Sequence, residues 1–120
     1  MRILCLGNQF LEQDSLAKEI GKVLSNEFSI TNIKDSFQLI EEIESEERLV
    51  IIDVVENLEE VREIRIEDIR ENQIMTAHDF DAGFVLKLLG KKIKIIGMPQ
   101  KANKDKVLKE VREILRSIAT

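Results

Sequence analysis

Apolar residues fall along the chain in two alternating arrangements: short continuous runs, and stretches spaced at helical intervals. A continuous run bounded by turn residues suits a buried strand, whereas i, i+4, i+7, i+8 spacing lines one face of a helix. The first run, Ile3-Leu4-Cys5-Leu6, closes on Gly7-Asn8 and predicts a buried strand over residues 1–6 followed by a turn. Leu16, Ile20, Val23 and Leu24 then share one helical face. Phe28 to Ile33 fits a second strand. Asp35 or Ser36 is placed to cap a helix whose inner face is expected to carry Phe37, Ile40 and Ile43.

The second strongly apolar run is Leu49-Val50-Ile51-Ile52, ending in Asp53. A strand apolar on both faces is what the centre of a parallel sheet requires. From Val61 to Glu67 the pattern alternates, with Ile64 and Ile66 set between Glu63, Arg65 and Glu67. That predicts a half-exposed edge strand, antiparallel to the strand before it. Val85, Leu88 and Leu89 mark a further helix, stopped by Gly90. Ile93, Ile95 and Ile96 predict a strand ending at Gly97, with Pro99 in the loop beyond it. Val107, Leu108, Val111, Ile114, Leu115 and Ile118 form the clearest helical stripe in the chain.

Strands alternating with helices predict an α/β fold. The expected form is a three-layer α/β/α sandwich, its mostly parallel sheet of about five strands carrying one antiparallel edge strand. With 120 residues and 43% apolar composition, residues 1–120 are expected to form a single domain with a substantial core. That core must rest on Ile, Leu, Val and five Phe, because Trp and Tyr are absent.

Charge narrows the function classes. Asp and Glu outnumber Lys and Arg 23 to 18, a net charge of −5, so the basic excess of a nucleic-acid binder is missing. The dense run from Glu41 to Arg48 is acidic and suits a solvated helix end. No stretch of about 18 apolar residues offers a transmembrane helix, and the opening run is too short for a signal peptide. A soluble, cytoplasmic protein is expected. Cys5, the single cysteine, excludes an intrachain disulfide and a thiolate zinc site, and suits a small core hydrophobe.

In an open parallel sheet, ligands bind at the carboxyl ends of the strands. Three polar features are expected there: Asp14 after Gly7-Asn8, Asp53 at the end of the central strand, and His78 before a helix near Asp79. The long connection ahead of His78 has little pattern, and loops of that length are often functional. Two carboxylates and an imidazole can bind a divalent transition metal and leave positions open for substrate. A helix N-terminus beside His78 would favour the neutral, ligating imidazole. Each residue also has a plainer role open to it. Asp14 could be an N-cap, Asp53 could begin a turn, and His78 could be a loop residue bonded to a carbonyl. Their shared placement on one rim is what favours a site.

The same residues carry a family likeness. Arg2-Ile3-Leu4-Cys5-Leu6-Gly7-Asn8 followed by Asp14 resembles the opening of the hydrogenase maturation endopeptidases, in which a first strand leads through a glycine-asparagine turn to an acidic pair. Val50-Ile51-Ile52-Asp53-Val54-Val55 matches the family's apolar strand ending in aspartate. Thr76-Ala77-His78 matches its Ser/Thr-x-His segment, with Leu86, Leu88 and Leu89 behind, and Gly97-Met98-Pro99-Gln100 is similar to its closing loop. Gln13 stands at the first position of the acidic pair, Ser15 and Ala17 follow the acid where glycine is frequent, and Leu6 replaces a second glycine.

The resemblance implies an α/β/α fold and an aspartic-type endopeptidase. Its substrate would be the large-subunit precursor of a nickel-containing [NiFe] hydrogenase, from which a C-terminal extension is removed. Nickel is then carried by that precursor, with no other cofactor implied, and Asp14, Asp53 and His78 are the groups that meet it. Asp14 and Asp53 would serve catalysis, and Asn8 and Thr76 would contact substrate. No nucleic-acid or membrane partner is implied. The rival from another class is a non-enzymatic α/β binding or regulatory module. A receiver-like domain also places an aspartate after its third strand, but it needs an acidic pair after the first strand and a lysine after the last. Here Gly7-Asn8 and the more distant Lys101 take those places.

Overall fold

A computed structural model describes residues 1–6, 19–33, 36–45, 48–55, 58–65, 90, 93–99 and 102–119. The described strands are β1 (Arg2–Leu6), β2 (Ser29–Ile33), β3 (Leu49–Val55), β4 (Arg62–Ile64) and β5 (Lys94–Pro99). The described helical segments are α1 (19–24), α2 (Ser36–Ser45) and α3 (Lys104–Ala119). The five strands form one sheet in the order β2-β1-β3-β5-β4. The β1–β2, β1–β3 and β3–β5 pairs are parallel, and β4 runs antiparallel to β5.

The continuous apolar run of β3 places it at the middle of this order, and all seven of its residues are buried. Successive side chains of a strand point to opposite faces of the sheet, so the run feeds two cores. On one face Ile3, Cys5, Val50, Ile52, Val54, Ile96 and Met98 pack with α1 through Ile20 and Leu24 and with α3 through Val107, Val111 and Leu115. On the other, Leu4, Leu6, Ile51, Val55, Ile64 and Ile95 pack with α2 through Leu39 and Ile43. Helices therefore cover both faces, as the alternating pattern predicts.

Capping and ion pairs fix the helices at their ends. The Asn103 carbonyl accepts from the Val107 amide, and its side-chain Oδ1 accepts from the Lys106 amide at 3.1 Å, which caps α3. Near the other end of that helix, the Arg48 Nη2 donates to the Ile118 carbonyl at 3.3 Å. Glu42 of α2 pairs with the Arg2 guanidinium at the start of β1. The acidic run is thus exposed at Glu41 but tied to the sheet at Glu42.

Five expectations are corrected. The edge strand pairs with β5 rather than with β3, because β5 inserts between them and buries its apolar run on both sides. Asp53 does not end its strand: β3 continues to Val55. Nor does Gly97 end β5, since Val54 pairs with Met98 and Val55 with Pro99. Pro99 is accordingly the buried last residue of a strand, not part of a loop. A proline lacks the amide hydrogen a ladder needs, but β4 pairs only as far as Gly97, opposite Arg62, so no bond to β4 is lost. Finally, Phe37 is 81% exposed and Ile40 only half-buried, because Leu39 and Ile43, four residues apart, take the inner face of α2. Gly90 is itself helical, and the helix expected before it lies outside the described residues.

Candidate active site

Asp53 is the buried charged residue of the described core, with no exposed surface. It sits two residues short of the end of β3, close to the carboxyl edge of the parallel strands. By strand alternation it shares its face with Ile51 and Val55, the face covered by α2. Burying a carboxylate is unfavourable unless hydrogen bonds or charges compensate it, and here Oδ1 accepts from the Val54 amide at 2.8 Å. A strand otherwise built of Leu, Val and Ile gains nothing from a carboxylate for packing.

Across the ladder, Asp53 is in register with Gly97 of β5. A Cβ added to Gly97 would lie 2.8 Å from Ile64 Cγ1 and 2.9 Å from Val55 Cγ2. The residue opposite the carboxylate is therefore glycine because the edge strand and β3 close over it. Sequence reasoning treated Gly97 as a strand end and missed this role. The signal was present, since an isolated glycine in an apolar strand marks close approach of neighbours.

Of the three expected metal-contacting residues, Asp53 falls within the described residues, and the structure puts it at the predicted rim. Asp14, His78, Asn8, Thr76 and Gln13 lie outside them. No group of three or more His, Cys, Asp or Glu side chains able to hold a metal ion forms among the described residues. Cys5 belongs to the opposite core, where burial pushes its thiol up to about 12 from 9.0. It is an inert core side chain, as predicted.

Residues 34–118 match the family model described as HycI: Hydrogenase maturation protease. No curated protein sequence matches the chain. Among solved structures, it is similar to the [NiFe] hydrogenase maturation protease HybD from Thermococcus kodakarensis, with 28% identity, a TM-score of 0.73 and 100% of both chains covered. The hydrogenase 3 maturation protease shares the fold at 18% identity and TM-score 0.67, over 93% of this chain and 86% of that one. So does an uncharacterized protein from Wolinella succinogenes, at 17% identity and TM-score 0.54, over 89% and 77%. Among the described residues no helix is long and apolar enough to cross a membrane. The family match spans well over half the chain and includes the strand that carries Asp53, so this chain belongs to the hydrogenase maturation proteases, a family of peptidases.

Proposed function

We propose that this protease removes a C-terminal extension from the nickel-loaded large-subunit precursor of a [NiFe] hydrogenase, in the cytoplasm. Nickel is here a part of the substrate. Asp14, Asp53 and His78 meet the precursor's nickel, and Asn8 and Thr76 contact the chain around it. The observation that carries this reading is the buried Asp53 at the carboxyl end of the central strand, in a family of peptidases. The similarity to a [NiFe] hydrogenase maturation protease supports the substrate class.

Two routes to hydrolysis are compatible with this donor set. The substrate's metal ion can polarise the scissile carbonyl or acidify an attacking water. Alternatively, Asp14 or Asp53 can take the proton of that water as a general base. His78 is the single histidine of the chain. Its use as a ligand therefore leaves no imidazole for a Ser-His-Asp arrangement or for a second zinc ligand of the H-E-x-x-H kind. Two carboxylates and one imidazole without a thiolate hold free metal weakly, which suits a site that inspects metal already seated in another protein.

Asp14→Ala, Asp53→Asn and His78→Ala test the site. Each is expected to lower the rate of precursor cleavage by at least about 100-fold while the circular dichroism spectrum stays that of the wild type. Cleavage at the wild-type rate in all three overturns the assignment.

A further inference from the structure

Gly97 and Asp53 lie side by side on β5 and β3, paired in parallel register. In-register neighbours of a parallel ladder point to the same face of the sheet, about 4.8 Å apart. Ile51 and Ile95, paired two residues earlier, both enter the core covered by α2, so the bare side of Gly97 turns to that core as Asp53 does. A Cβ there would stand 2.8 Å from Ile64 Cγ1, 3.0 Å from Ile64 Cδ1 and 2.9 Å from Val55 Cγ2. Non-bonded carbon atoms settle at about 3.5–4.0 Å, so a methyl group at this position must push its neighbours aside.

The two neighbours differ in how they yield. The Ile64 atoms in the way form the ethyl arm of its side chain, carried by a three-residue strand at the sheet edge. That arm can turn aside with little effect beyond β4. Val55 is branched at Cβ and stiff at χ1, and it is buried in a packed core that leaves no room to swing a methyl group. Its backbone must move instead, and the end of β3 moves with it. Asp53 lies two residues back, and the Val54 amide between them donates to Asp53 Oδ1 at 2.8 Å. A push on Val55 therefore reaches the carboxylate through the same backbone that hydrogen-bonds it.

We infer that Gly97 is a positioning residue for Asp53: its missing side chain lets Val55 seat the end of β3, and that seating aims the carboxylate at the precursor's nickel. This inference rests on the proposed precursor-processing function. Gly97 touches no reacting atom and acts through Val55 and the Val54 amide. Misplacing a functional group by about 1 Å can cost about 100-fold, so the displacement caused by one methyl group is large enough to measure.

The test measures binding of purified nickel-loaded and nickel-free precursor to the protease. The wild type is expected to bind the loaded form more tightly. Gly97→Ala should reduce that preference at least about tenfold. It should bind the nickel-free form as the wild type does, because that form offers Asp53 no metal. Adding Val55→Ala to Gly97→Ala should restore the preference, whereas adding Ile64→Ala should not. Should Gly97→Ala alone fail to fold, the two double variants, each relieved of one collision, decide by the same comparison. Full preference in folded Gly97→Ala, equal weakening toward both forms, or equal recovery with Ile64→Ala overturns this inference and leaves the processing function standing. A wild type without the preference overturns nickel-gated processing and this inference with it.

Discussion

Asp53 and Gly97 occupy paired positions on neighbouring central strands, and neither is there for apolar burial. The carboxylate interrupts an apolar run, while the glycine admits Ile64 and Val55 where any Cβ would collide. Both interruptions are visible in the sequence. Their meaning is not, because a polar or small residue after an apolar run also marks the end of a strand. What distinguishes the two cases is the pairing of Val54-Val55 with Met98-Pro99, a contact between segments more than forty residues apart. Cys5 shows a residue whose environment was legible. It lies in the middle of an apolar run, it is fully buried, and burial pushes its thiol up to about 12 from 9.0. The folded protein therefore holds that proton more tightly than the unfolded chain does. Its contribution to stability is complete below pH 9 and is lost as pH rises toward 12, at a slope approaching about 1.4 kcal/mol per pH unit. Urea unfolding of the wild type and Cys5→Ala between pH 8 and 11 checks this. The wild type should lose stability more steeply than the variant, and parallel profiles would contradict the expectation.

Among the elements, α3 was the most legible. Its stripe keeps helical spacing for three turns, and Val107, Val111 and Leu115 are buried as that spacing requires. The cap belongs to the same element: Asn103 satisfies amides of the first turn through both its carbonyl and its side chain. Asn103→Ala should lower stability by about 1 kcal/mol, measured as a shift in the urea midpoint without a change of slope. An unchanged midpoint would mean that the capping bond contributes nothing. Helix α2 was placed well but turned wrongly. Phe37, Ile40 and Ile43 recur every three residues and drift around the helix, whereas Leu39 and Ile43 at a spacing of four stay in line. Apolar character alone favoured Phe37 for the core. The chain instead leaves that ring at the surface.

At the scale of the molecule, the layered α/β architecture follows from two strands that are apolar on both faces and so need helices above and below. The order of strands across the sheet does not follow from local pattern. The edge strand precedes β5 in sequence yet pairs with it, because β5 lies against β3 and leaves its far side to be covered. One rim then receives the carboxyl ends of the parallel strands, Asp53 and the first turn of α2. The chain belongs to the hydrogenase maturation proteases, and the proposed processing reaction is assigned to that rim. The most direct measurement is mass spectrometry of the precursor's carboxyl end after incubating the protease with nickel-loaded and with nickel-free precursor. Loss of a short C-terminal peptide from the loaded form alone is the predicted result. Equal cleavage of both forms, or cleavage of neither by a folded protein, would contradict nickel-gated processing at Asp14, Asp53 and His78.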